Sequence, residues 1–183
     1  MTEQKGFDLI IEGLRQWRHQ WPVQLIIIAW GEERYARELR KLAAAHPEWI
    51  AFSDSWMVAP EPLHYTGTDI LLMPSLFEPC GLPHMMALRY GTVPIVRQTG
   101  GLADVVQEFD PSSTTGNGFV FGSPDSKEML QAIEGALEIY HRQPDHWQAL
   151  LTTAMRARDR NGHDFGWTTA ANRYLTELYE VDD

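Results

Sequence analysis

Glu78, Cys80 and Gly81 fall together in the run Asp69-Ile-Leu-Leu-Met-Pro-Ser-Leu-Phe-Glu-Pro-Cys-Gly-Leu-Pro-His84, where chemistry is most concentrated. The run reads as a buried strand over Ile70–Met73, a Pro-Ser stop, a loop, and a helix from about Pro83 to Tyr90. A small-residue loop between a strand and a helix N-terminus presents backbone N–H groups to an anionic ligand. Pro83 suits the first turn, because the N–H it lacks would be orphaned there anyway. A carboxylate beside those N–H groups would repel an anion, so Glu78 is expected to face hydroxyls. Two further stretches carry compatible chemistry. Lys5-Gly6 puts an ammonium at the start of a helix, a good place for a phosphate. Thr99-Gly100-Gly101-Leu102 opens another helix, and its glycines permit close backbone approach to a ligand. His84, early in the helix after the loop, and Arg97, at the end of its strand, are added as candidates, with Arg89 a second cation near that edge. Taken singly, these residues also fit plain structural roles: an exposed lysine, a tight turn, a surface ion pair.

Cys80 is the one cysteine, and no histidine or carboxylate is tied to it by local spacing, so it reads as a small residue fitted into a tight loop rather than a nucleophile. The seven histidines show no metal-ligand spacing, and no metal site is expected.

The elements that must position these residues alternate strand and helix. Helices are expected over Asp8 to about His19, Glu32–His46, Pro60–Gly67, Leu102 to about Glu108, Ser126 (as N-cap) to about His141, Pro144 to about Asp159, and 167–181. Strands are expected over Val23–Trp30, Trp49–Ser53, Ile70–Met73, Val93–Arg97 and Gly118–Phe121. Val23–Trp30 is a continuous apolar run, as suits a parallel strand covered on both faces. The pattern predicts an α/β domain with a doubly wound, mostly parallel sheet, in which all three loops lie at the carboxyl edge. One nucleotide-binding domain spanning 1–183, closed by the helix at about 167–181, fits the length and the absence of any long linker. The sequence opens on the loop before its first helix, so the sheet is expected to lack its usual first strand. The strands at Val23 and Ile70 must then pair directly or leave unpaired edges between them.

Bulk properties exclude several classes. With 15 Lys and Arg against 25 Asp and Glu, the net charge of −10 argues against a nucleic-acid partner held by a basic surface. The longest apolar run, Leu25–Trp30, is far short of the roughly 20 residues of a membrane helix. The polar start and single cysteine point to a cytoplasmic protein. The tryptophans, Trp17, Trp21, Trp49, Trp147 and Trp167 among them, are expected to pack in the core.

Phe77-Glu78-Pro79-Cys80-Gly81-Leu82, then Arg89-Tyr90-Gly91-Thr92-Val93-Pro94 and Arg97-Gln98-Thr99-Gly100-Gly101-Leu102-Ala103-Asp104, closely resemble bacterial glycogen synthases and plant starch synthases. Thr2-Glu3-Gln4-Lys5-Gly6-Phe7-Asp8-Leu9 and the stretch from Trp167 through Tyr174 to Tyr179 are similar to further segments of that family, in the same order. The resemblance implies the C-terminal, donor-binding half of a GT-B, Rossmann-like, retaining glycosyltransferase. Such enzymes move glucose from ADP-glucose to an α-1,4-glucan without a required metal or other cofactor. It implies that Lys5, next to Gly6, contacts the diphosphate, and that Glu78 contacts the donor sugar or supports charge at the reacting centre. The backbone of Cys80, Gly81 and Leu82 would bind phosphate or sugar oxygens, with Thr99, Gly100 and Gly101 lining the pocket. Pro83-His84 departs from the family's Thr-Gln, and the lysine–arginine phosphate clamp is reduced to Lys5. The acceptor-side domain is not in this sequence. The expected function is therefore donor binding without transfer by this chain alone; a regulatory ADP-glucose-binding module and one half of a split enzyme, completed by a separate N-terminal domain in trans, are the alternatives.

Overall fold

The computed structural model describes residues 1–17, 20–55, 61–159 and 162–179, and the main chain alone at 61. A 3-10 turn, Glu3–Lys5, leads into helix α1 (Phe7–Gln16); β1 (Leu25–Ile28), α2 (Glu33–Ala45), β2 (Ile50–Ser53), α3 (Glu61–Thr66), β3 (Ile70–Met73) and α4 (Leu82–Tyr90) follow. The chain continues through β4 (Val93–Arg97), α5 (Gly100–Val105), β5 (Phe119–Phe121), α6 (Ser126–Arg142), α7 (Pro144–Met155) and α8 (Trp167–Arg173), then a π-helical turn Tyr174–Leu178.

Among the described residues all strand pairs are parallel, as the alternation of strands and helices requires: β1 with β2, β3 with β4, and β4 with β5. The strands form two sheets, β1-β2 and β3-β4-β5, and β1 does not pair with β3. The expected alternative of direct pairing is therefore not realised, and the edges of β1 and β3 stay unpaired among the described residues.

β4 shows why its sequence had to be central. Val93 and Ile95 face a cluster containing Leu9 of α1, Phe119, Phe121, Met129 of α6 and Leu150 of α7. Val96, one residue out of phase, faces Leu88 of α4 and Leu102 and Val105 of α5. Period-two alternation thus covers both faces of the strand with helices. Each of these side chains is fully buried, worth roughly 1.5–3 kcal/mol apiece. A third cluster packs Ile11 and Leu14 of α1, Tyr35 and Leu39 of α2, Ile27, Ile50 and Leu137, with Ile70 half-buried against it.

Several boundaries differ from expectation. β1 is half the expected length; only Leu25–Ile28 are laddered to β2, and among the described residues no neighbour extends them on the other edge. α5 begins at Gly100 rather than Leu102. The N-cap of α6 is Asp125, whose carboxylate accepts from the Lys127 and Glu128 N–H groups at 2.7 and 3.2 Å; Ser126, the expected cap, is the first helical residue. Gly67 donates to the Leu63 carbonyl at 3.0 Å as α3 ends. Trp17, Trp21 and Trp147 are core residues, whereas Trp167 is 88% exposed. The expected helix ends at His19 and 181, and the calls at Pro60, lie outside the described residues. No helix among the described residues is long and apolar enough to cross a membrane.

Candidate functional site

Three segments converge at the carboxyl edge of β3 and β4: Met1–Gly6, the β3–α4 loop, and Thr99–Gly101. Their contacts are close enough to exclude side chains. A Cβ on Gly6 would lie 2.1 Å from the Pro74 carbonyl oxygen. One on Gly100 would lie 2.0 Å from the Glu78 carbonyl oxygen, and one on Gly101 2.2 Å from that of Cys80. The glycines expected to let backbone approach a ligand instead let the loops approach one another. Gly101 also donates its N–H to the Glu78 carbonyl at 2.9 Å, so one of the N–H groups at the start of α5 is already engaged.

At this junction Lys5 Nζ meets Glu78 Oε2 at 2.5 Å, and Ser75 Oγ donates to the same oxygen at 3.2 Å. Glu78 is buried while the Lys5 side chain is half exposed. A buried carboxylate needs such partners. Glu78, expected to face hydroxyls, does accept one from Ser75, but its charge is also paired to the cation expected to hold a diphosphate.

The loop is fixed from both sides. The Leu76 N–H donates to the Gln4 carbonyl at 2.8 Å, and the Gln4 side-chain amide donates to the Phe77 carbonyl. Arg97 Nε donates to the Ser75 carbonyl at 2.8 Å, Nη1 to that of Gly122 at 3.3 Å, and Nη2 to that of Leu76. Arg97 was expected as a ligand contact; its guanidinium instead serves three main-chain carbonyls. Arg89 lies in the last turn of α4, at the end of the helix away from the loop. Ser75 and Gln4 are the positioning residues that the sequence reading missed. Their signals were a Pro-Ser pair at a strand end and a glutamine beside the candidate lysine.

α4 starts from Gly81, in the left-handed region at φ 77°, and no side chain caps it. Its first N–H groups and dipole therefore favour a bound anion next to Lys5. Cys80 is exposed at the same loop. His84 is placed differently from expectation. It is fully buried under the loop, and neither ring nitrogen has a hydrogen-bond partner. Burial lowers its pKa to about 4, against the opposing pull of the Glu78 charge and the Gly101 main chain, so the ring is neutral at pH 7. A shallow pocket of about 200 Å³ lies elsewhere, lined by Asp8, Ile11, Arg15, Tyr35 and other residues of α1 and α2.

The family model described as glycosyl transferases group 1 matches residues 1–148. Glycogen synthase from Thermotoga petrophila is 38% identical over 180 residues, which cover 98% of this chain and 35% of the relative. Glycogen synthase from Geobacillus thermodenitrificans is 42% identical over 183 residues, again covering 98% and 35%. The catalytic domain of starch synthase IV from Arabidopsis thaliana, bound to ADP and acarbose, superposes with a TM-score of 0.80 at 29% identity, covering 98% of this chain and 36% of that one. The C-terminal domain of a glycosyl transferase group 1 family protein from Francisella tularensis shares the fold, with a TM-score of 0.62 at 17% identity over 100% of this chain and 83% of that one. The chain thus spans about a third of the length of the curated relatives it matches.

Proposed function

As the chain belongs to the glycosyl transferases group 1 family, we propose that it is the donor-binding half of a glycogen or starch synthase-type glucosyltransferase, taking ADP-glucose as donor and an α-1,4-glucan as acceptor. The observation that carries this reading is the Lys5–Glu78 contact at the uncapped start of α4. It sets a cation, an anion-favouring helix end and a carboxylate within one small site. In the proposed complex the diphosphate takes Lys5 and the N–H groups of Gly81 and Leu82. Glu78, released from Lys5, turns to the glucose hydroxyls or to the charge that develops at the anomeric carbon. Thr99, Gly100 and Gly101 form the opposite lip. The ADP in the starch synthase IV relative supports adenine nucleotide as the donor class.

Transfer needs an acceptor held against the donor and water kept out. The loops described here form one wall of such a cleft, so the 183-residue chain is expected to bind donor without transferring glucose. A separate N-terminal synthase domain in trans would supply the other wall. Calorimetry with ADP tests the donor site. Lys5→Ala should weaken binding by roughly 1.5–3 kcal/mol, the range for a charge-assisted bond. Equal affinity in wild type and variant removes Lys5 from the site, and no heat at millimolar ADP removes the site altogether. Incorporation of glucose from ADP-glucose into glycogen by the purified chain would overturn the expectation of inactivity.

A second reading is a regulatory module that binds ADP or ADP-glucose; the Lys5–Glu78 pair, in which each group neutralises the other, supports it. A change in the activity of a companion synthase on adding the chain with ADP, and not without it, would select this reading.

A further inference from the structure

We infer that His84 is a positioning residue for Glu78: its buried ring N–H takes hold of the Glu78 carboxylate when a diphosphate draws Lys5 away, and so fixes the carboxylate beside the donor sugar. This inference rests on the donor-site reading and names the group that holds the released carboxylate.

The start of α4 places the ring. Gly81 is the N-cap, Leu82 and Pro83 open the first turn, and His84 is the third helical residue. Side chains in a helix lean toward its N-terminus, so a residue at this place reaches back toward the cap. His84 does so. A Cβ on Gly81 would lie 3.0 Å from His84 Nδ1 and 3.0 Å from Glu78 Cγ. The ring nitrogen and the glutamate side chain therefore flank one glycine, no further apart than twice that distance. The carboxylate oxygens lie two bonds beyond Cγ. Rotation about the terminal side-chain torsions, the last of which is soft, brings one of them within reach of Nδ1.

The two groups are short of partners in complementary ways. His84 is fully buried and neither ring nitrogen makes a hydrogen bond; the Gly101 main chain lies close without completing one. Burial keeps the ring neutral at pH 7, with one N–H to give. Buried polar atoms are normally satisfied, and one that is not calls for a reason. Glu78 is buried as well. Lys5 Nζ and Ser75 Oγ both take its Oε2, so Oε1 is open to a further donor among the described residues.

A diphosphate at the N–H groups of Gly81 and Leu82 competes for Lys5, the cation on this carboxylate. A buried carboxylate that loses its cation is costly unless another donor replaces it. The His84 ring supplies that donor from the protein interior. One carboxylate oxygen is then held by the ring, and the other is left to face the sugar hydroxyls.

The test is nuclear magnetic resonance and calorimetry on the 183-residue chain with isotope-labelled histidine, titrated with ADP. With saturating ADP, one imidazole N–H signal should move downfield and exchange slowly with water. It should be missing from His84→Gln, and in Glu78→Gln it should move much less. In calorimetry, His84→Leu should weaken ADP binding about tenfold, as for loss of a hydrogen bond to a charged group, while His84→Gln, which keeps an N–H, stays within about threefold of wild type. The cost of His84→Leu should shrink when Glu78→Gln is also present. A histidine that serves packing alone would cost the same with and without Glu78→Gln. ADP binding with every histidine signal unmoved, or an equal loss of affinity on His84→Leu in the two backgrounds, would overturn the inference and leave the donor site standing. No heat at millimolar ADP would remove the donor site and this inference together.

Discussion

Lys5 and Glu78, separated by 73 residues in the chain, share a contact of 2.5 Å and thereby join the start of the chain to the loop that follows β3. In the proposed donor complex this contact opens. Glu78→Gln removes the charge that competes with a diphosphate for Lys5, so ADP should bind more tightly to the variant. Lys5 is half exposed, and solvent screening limits the gain to about 1 kcal/mol. The gain should shrink as salt is raised. Calorimetric titrations at two ionic strengths check both points, and weaker ADP binding by Glu78→Gln would show that the carboxylate aids the nucleotide rather than competing with it.

Arg97 is expected to report on stability more than on ligand. Arg97→Ala leaves the Ser75, Leu76 and Gly122 carbonyls without their donor. A loss of about 1–3 kcal/mol in denaturant unfolding is expected. Arg97→Lys should recover only part of it, because an ammonium cannot reproduce the forked guanidinium geometry. Unfolding midpoints equal to wild type in both variants would return Arg97 to the list of ligand contacts.

Two glycines should respond to the same substitution with opposite sign. Gly100→Ala forces a methyl against the Glu78 carbonyl from a backbone at φ 45°, and should cost about 3 kcal/mol or more. Gly135, inside α6, has nothing within 4 Å of the added carbon. Gly135→Ala should stabilise the protein by roughly 0.5–1 kcal/mol through helix propensity. Thermal or denaturant unfolding of the pair measures both; equal effects would contradict the loop-to-loop contact.

His84 sets a pH dependence. Its folded pKa of about 4 lies below the ordinary histidine value, so the unfolded chain takes up a proton first as pH falls. The stability it contributes is complete above about pH 6.5, declines through the interval down to about pH 4, and is lost below it. The amplitude is on the order of 3 kcal/mol. His84→Leu removes two unpartnered nitrogens and the titration together. The variant should be as stable as wild type or more so at pH 7, and its stability should fall less between pH 6.5 and 4. An unaltered pH profile would mean that His84 is solvated or paired.

Much of this architecture was readable from local pattern. Val93–Arg97 reads as a strand from its local pattern, and β4 has those bounds. Glu78, Lys5 and Gly100 were singled out by type and spacing, and the structure brings them into one place. What the sequence could not show were contacts set by chain segments far apart. Arg97 looked like a free cation at a strand end; its carbonyl partners lie 21, 22 and 25 residues away. Gly100 and Gly101 looked like ligand cradles because a glycine's need for space does not reveal what occupies that space. Val23–Trp30 looked like a long strand, but ladder length depends on neighbours, and β1 has one. The Asp125–Ser126 choice shows a finer limit: both types cap helices well, and one residue of register decides between them.

The first residues of the chain also have a mechanical consequence. Met1 is tied to the Trp30–Glu32 stretch and Gln4 to Leu76 and Phe77, so this short run works as a stitch across the seam between two plates. Lys5 is the next residue along the thread. Any shear of one plate against the other therefore alters its reach toward Glu78, and the alignment of the two plates and the charge balance of the site become a single variable.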